Sequence, residues 1–407
     1  MEASGYIAVV DCAAACADAP LEPPRPLRWH APRPEEQRQF AAWAHGAVES
    51  LLPPHALAAL REFDSGEGPP AILLRGLGVE PDLEGTGAAR EPGFQKNGQR
   101  SEAWTLGVAS LFGDALAVSP EAQGAAAAAA AAGETLDPDE PSISIGHLVA
   151  RPGNRKATRK AHDGTLTEGL ADLNLHRDGM FDEYGTYNYT GGKDGNIELF
   201  LPDKLFLFCN RGDPGGEAMT WLHDQSALYA MIPEEDKELL RDQNKHPLRF
   251  FDGADTAGGR DSQVAYRESV APQRATPSDN CSGTATDNPS VVSGSDEAPR
   301  VSMQESRPVD RELSEPAAAD AYDRLFALAQ KTRVGVPLQA GDLLILKNNR
   351  TLHGRSPYTP QYDDNDRWVQ RFTSYQPQQA EEAEGWLAEQ HRLKVAQVAV
   401  TASGAKL

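Results

Sequence analysis

Apolar residues recur along the chain at two different periods. From Glu36 to Asp64 they fall three and four positions apart, with Phe40, Trp43, Val48, Leu51 and Leu52 on one side. That spacing predicts an amphipathic helix, divided by Pro53 and Pro54. Ala71 to Leu74 is a short continuous apolar run, as a buried strand requires, and Gln99 to Val118 reads as another helix. From Ser142 onward short β-type runs take over: Ile143–Val149, Ala171–His176, Lys204–Cys209, Met219–Leu222, Leu248–Phe251, Leu343–Leu346 and Trp368–Tyr375. Helices are predicted at 225–243, 317–333 and 379–397. Many short strands with helices outside them predict a mainly β protein with flanking helices (α+β), built as a β-sandwich or jelly roll.

Three stretches break the pattern. Residues 1–35 are rich in Ala and Pro and read as a loosely packed leader. Ala125 to Ala132 are eight consecutive alanines. Poly-Ala favours helix, but no apolar stripe is present to dock it, so 120–140 reads as a surface insertion. Residues 253–316 are dense in Ser, Thr, Asp, Gly and Pro, and composition alone makes them a disordered linker. The expected organisation is one domain over 36–378 and a C-terminal helix and tail over 379–407.

The 407 residues include 39 Lys plus Arg against 60 Asp plus Glu, a net charge of −21. A nucleic-acid binder needs a basic stripe, so nucleic acid is not an expected partner. No run approaches the roughly 18 apolar residues of a membrane span. Four Cys exclude a disulfide scaffold. Cys12 and Cys16 lack a nearby second Cys/His pair to complete a zinc site. The N-terminus has no basic segment, and Asp11 interrupts its apolar run, so a cytoplasmic location is expected. The oligomeric state is not legible.

Ten His residues allow the metal question to be handled exhaustively. A 2-His-1-carboxylate triad binds Fe(II) and leaves positions open for a co-substrate and O₂. Its local form is His-x-Asp/Glu on a strand, where period-2 geometry turns both ligands to one face. Only His176-Arg177-Asp178 qualifies. Among distant candidates His391 lies in a polar helix and His246 precedes Pro247. His223 is a second choice. His353 follows the turn and buried strand Gly341 to Leu346, which deliver it to a strand end. Arg367 follows fourteen residues later and Arg371 four beyond that. An Arg on the next strand suits a dicarboxylate co-substrate, whose distal carboxylate the planar fork holds bidentately. At i and i+4 both arginines share a face.

The stretch Gly341-Asp342-Leu343-Leu344-Ile345, Asn349 to Pro360 and Asp366-Arg367-Trp368-Val369-Gln370-Arg371 resembles the C-terminal signature of the clavaminate synthase-like group. These are Fe(II)/2-oxoglutarate oxygenases of the taurine dioxygenase superfamily, and they include β-hydroxylases of free arginine and asparagine. Gly68 to Leu77, Leu166-Thr167-Glu168 and Pro202 to Asp213 agree with the group, so the resemblance spans about 38–376. It implies a double-stranded β-helix (jelly-roll) core. It implies His176, Asp178 and His353 as catalytic iron ligands, and Arg367 and Thr220 as 2-oxoglutarate contacts. Arg371 corresponds to the arginine that takes the substrate's α-carboxylate. Residues 179–201, with Phe181, Tyr184, Tyr187 and Tyr189 among glycines, suit a lid. Val291 to Pro299 resembles a segment that closes over the substrate, where Asp296 and Glu297 would favour a cationic or polar side chain; this overrides the linker reading for 290–310.

The function so implied is hydroxylation of a free amino acid or derivative with Fe(II), O₂ and 2-oxoglutarate, the last leaving as succinate. Asp178 occupies the place where iron halogenases carry a small residue, which speaks against halogenation. Desaturation or oxidative cyclisation uses the same cofactors, and no motif separates them. A protein-modifying oxygenase or a non-catalytic metal-binding β-barrel are the readings from other classes.

Overall fold

A computed structural model describes residues 5–24, 34–90, 96, 98–113, 115–116, 146–149, 173–177, 203–242, 291–301, 303 and 315–375. The expected strand 248–251, helix 379–397, alanine tract, lid 179–201 and Asp178 lie outside these residues. Among the described residues the fold is mixed α/β and sheet-rich, with two main sheets.

The larger sheet has seven strands in the order β1 (Ile7–Asp11), β2 (Ala71–Arg75), β11 (Leu343–Lys347), β6 (Lys204–Arg211), β13 (Trp368–Tyr375), β3 (Ala115–Leu116), with β4 (Gly146–Val149) also paired to β13. Its central strands are apolar on both faces because both faces are covered. Phe206, Phe208, Ile72, Leu74, Leu343 and Ile345 pack under α2 (Pro34–Leu51), α3 (Pro54–Ser65) and α4 (Arg100–Leu111). The alternate residues Leu205, Leu207, Cys209, Leu73, Leu344 and Leu346 turn the other way. Each such Leu or Phe stabilises the fold by about 1.5–3 kcal/mol when fully buried.

Those alternate residues meet the second sheet, of order β10 (Val334–Pro337), β7 (Met219–Asp224), β12 (Thr351–Arg355), β5 (Leu173–His176). Leu222 and Val336 join the core between the sheets. Leu175 and Leu352 face outward, beneath α5 (Gln225–Ala230), α6 (Glu234–Arg241), α7 (Pro316–Thr332) and the hairpin β8 (Val292–Gly294)–β9 (Pro299–Val301).

Several expectations are corrected. Part of the leader is structural: β1 runs parallel to β2, and Cys12, Cys16 and Leu21 are buried. Its Ala/Pro composition masks a short β-type run at Ile7–Val10. The helix read over 99–118 ends at Leu111, and Ala115–Leu116 joins β13 instead. Helix 225–243 breaks at Pro233, which opens the second piece. Residues Thr351–Arg355 form a strand of their own, so His353 sits mid-strand rather than at a strand end. β10 and the β8–β9 hairpin escaped notice because three- and four-residue strands carry almost no periodic signal.

Candidate functional site

The site lies between the two sheets, and strand alternation decides what reaches it. On β12, Thr351, His353 and Arg355 share one face while Leu352 points into the outer core. On β7, Thr220 shares the parity of Leu222, which faces the large sheet. β5 pairs with β12 so that His176 lies opposite His353. Their ring centroids are 4.4 Å apart with planes inclined by 49°. His353 is buried and His176 half-buried.

His176 Nδ1 lies 2.9 Å from the backbone carbonyl of Asn174. A carbonyl only accepts, so Nδ1 carries a proton, and in the neutral ring Nε2 is the nitrogen with the lone pair. A second hydrogen bond that fixes the tautomer in this way is how a ligating histidine is oriented. Two adjacent imidazoles, one so fixed, fit a divalent transition metal better than a charge-pair role. Among the described residues no third His, Cys, Asp or Glu completes a metal-holding group; Asp178, two residues from His176, lies outside them.

The facing strand is β13. Val369 belongs to the core between the sheets, and Arg367 and Arg371 share its parity. The register with β6 shifts at Trp368/Val369, where Asn210 is left unopposed. The bulge is thus in β6, and β13 keeps its alternation. Arg367 is buried and Arg371 half-buried. Burial pushes the thiol of nearby Cys209 up to about 12, against the opposing pull of Arg367, so it stays protonated and unreactive. Thr220 is buried and registers with Arg355 and Val336.

Other sequence candidates lie elsewhere. Asp296, at the tip of the β8–β9 hairpin, accepts hydrogen bonds from Tyr229 (2.5 Å) and Arg241 (2.8 Å). The Tyr229 hydroxyl, foremost, holds its carboxyl below the usual range. Its side chain is 75% exposed, and Glu297 is also exposed. His223 faces away from Leu222, with Nδ1 2.9 Å from the Asp224 carbonyl and Nε2 2.7 Å from the Thr332 hydroxyl. Both nitrogens are engaged, which removes it as the second choice for a ligand. Sequence reasoning missed Arg355 and the buried carboxylate Glu102. The period-2 rule applied outward from His353 was the available signal for Arg355; Glu102 had none, being a charged residue inside a predicted helix.

An L-lysine 3-hydroxylase from Catenulispora acidiphila is 24% identical over 213 residues, 52% of this chain and 48% of that enzyme; the alignment thus spans about half its length. An L-asparagine oxygenase from Streptomyces coelicolor is 27% identical over 323 residues, 77% of this chain and 73% of the other. A solved asparagine oxygenase, in complex with Fe(II), 2S,3S-3-hydroxyasparagine and succinate, superposes with a TM-score of 0.58 at 20% identity, over 90% of this chain and 93% of that one. This likeness is one of fold. The model of the taurine catabolism dioxygenase TauD, TfdA family matches residues 109–373, and the chain belongs to that family.

Proposed function

We propose that the protein is a non-haem Fe(II)/2-oxoglutarate-dependent dioxygenase that hydroxylates a C–H bond of a free amino acid or amino-acid derivative, releasing succinate. The observation that carries this reading is the His176–His353 pair on one sheet facing the Arg367/Arg371 strand of the other. The two facing sheets are read as the double-stranded β-helix, or jelly-roll, core. The L-lysine 3-hydroxylase and L-asparagine oxygenase among its relatives support a small amino-acid substrate.

His176 and His353, with Asp178, would hold the iron. Bound there with 2-oxoglutarate, iron supplies the O₂ chemistry that breaks the C–H bond. The protein's own residues bind and orient. Arg367 takes the distal carboxylate of 2-oxoglutarate through its fork, and Thr220 adds a hydroxyl from the opposite sheet. Arg371, on the same face one strand turn further, fixes the substrate's α-carboxylate. With that group fixed, the β or γ carbon is presented toward the histidines, and the apolar walls of Leu207, Leu222 and Val369 exclude water. Asp296 and Glu297 would receive a cationic side chain, which must then displace Arg241 from Asp296.

An anaerobic optical titration tests this. Fe(II) and 2-oxoglutarate should give a metal-to-ligand band that a panel of amino acids then shifts. His353→Ala should abolish both band and turnover. A variant that retains turnover with stoichiometric iron would remove His353 from the site.

A further inference from the structure

β5 places His176 with a strand of only four residues. Among the described residues it is the outermost strand of its sheet and pairs with β12 alone. That pairing is irregular. His353 lies opposite His176, but Arg355 lies opposite Leu173, so Asn174 and Leu175 together face the single residue Gly354. This is a β-bulge in β5, a device that re-aims side chains beside functional sites. The Leu173 and Asn174 carbonyl oxygens crowd against Gly354, 2.3 and 2.8 Å from where a Cβ would stand.

The bulge releases Asn174 from strict alternation and gives it two tasks. Its carbonyl accepts from His176 Nδ1 at 2.9 Å. Its side-chain Oδ1 accepts from the Gln330 amide at 2.9 Å. Gln330 stands in the last turn of α7, and Leu175 is buried in the outer core beneath the same helix. Asn174 therefore joins the helix layer to the imidazole, its side chain held by α7 and its main chain holding His176. A peptide plane turns as a unit, and a bulge leaves its extra residue outside the ladder. Ladder bonds therefore do not fix this plane, and the Gln330 bond supplies the restraint from outside the sheet.

We infer that Gln330 is a positioning residue for the metal site: by pinning Asn174 it aims the carbonyl that holds His176 with Nε2 turned outward as a ligand. This rests on the proposed function, which makes His176 a metal ligand.

The test uses the full-length protein. Gln330→Met removes the bond while keeping a long side chain of good helix propensity. The ring of His176 is first read in the metal-free protein by proton–nitrogen correlation NMR at about pH 8, where imidazole is neutral. The wild type should show the Nδ1–H tautomer, and the variant a mixture of both. Co(II), followed by its visible absorption, should then bind the variant about tenfold more weakly, as expected when a ligating histidine loses outer support. Leu328→Ala, two residues earlier on α7 and packed against the same outer core, loosens the helix without removing the bond. It should lower the melting temperature and leave tautomer and affinity as in the wild type. If either the tautomer or the affinity of Gln330→Met stays at the wild-type value, or if Leu328→Ala changes both as much, the inference is overturned. Should Gln330→Met not fold, Asn174→Ala removes the same bond from the strand side and is judged by the same two readings. A wild type that binds Co(II) beside an unaffected Gln330→Met overturns the inference alone. A wild type whose His176 and His353 signals ignore Co(II) fails the proposed function, and the inference with it.

Discussion

Gln370 of β13 donates a 2.7 Å hydrogen bond to the fully buried Glu102 of α4. The other Glu102 oxygen lies 2.9 Å from Lys96 Nζ and accepts from the Ser101 hydroxyl at 3.0 Å. Lys96 also pairs with Glu80, whose Oε1 accepts the N–H groups of Arg100 and Ser101 at the start of α4. Gln370 stands between Val369 and Arg371 and points away from both. The strand that presents the two arginines is thereby fastened from behind to the helix layer.

Removing Glu102 should be expensive. Glu102→Ala leaves the Gln370 amide without its carboxylate and Lys96 with one acid fewer. Breaking a buried ion pair costs about 3–5 kcal/mol, so the urea midpoint should fall by the corresponding amount. A loss under about 1 kcal/mol, the range of a surface pair, would mean that water satisfies the network.

Arg367 and Arg371 should fail differently. Losing a buried charge pair costs about 2–5 kcal/mol, so Arg367→Ala should raise the 2-oxoglutarate KM steeply. Arg371→Ala should preserve the 2-oxoglutarate–iron band and impair amino-acid binding. The opposite pattern in the same titrations would exchange the two roles.

Gly354 should not tolerate a methyl group. A Cβ there would sit 2.3 Å from the Leu173 carbonyl oxygen and 2.8 Å from that of Asn174, both backbone atoms of β5. Gly354→Ala must push β5 away from β12 and separate His176 from His353. Overpacking of this kind costs about 1–3 kcal/mol, read as a lower melting temperature, and iron affinity should fall with it. Unchanged iron binding would show that the close approach of His176 to His353 is not what holds the metal.

His223 should make stability fall with acidity. Burial lowers its pKa from the ordinary 6.5, with Asp224 acting in the other direction. The folded state therefore takes up its proton later than the unfolded chain does. The stabilisation is complete above about pH 6.5 and is lost as pH falls below it. Thermal melts between about pH 8 and about pH 5 should show a decline in the wild type that is shallower in His223→Gln. Parallel curves would assign the decline to other groups.

The strands that carry the candidate residues were legible because the spacing of the proposed ligands and strand alternation share one period. His176 and His353 were singled out as candidates by elimination among ten histidines, and Arg367 and Arg371 by their place on one strand. What escaped depends on other parts of the chain. Thr351 to Arg355 reads as polar because three of its five residues turn toward the site, so its strand character comes from pairing with β5 and β7. β1 is defined by its partner β2, not by its own composition. The contact between Arg241 and Asp296 joins residues from separate elements, and no local pattern announces it.

The pairing of β5 with β12 joins segments separated by nearly half of the sequence, and β11 is the link between β2 and β6. Contacts this distant are slow to form, because loop closure must precede any gain from pairing. During synthesis the first imidazole emerges long before its partner, and β2 and β6 wait with open edges, the kind of surface that invites aggregation. A chain halted after β10 would lack both the strand that unites the larger sheet and the second histidine. Under the proposed function metal competence then arrives together with completion of the fold, and iron-binding capacity should report how much of a preparation has finished folding.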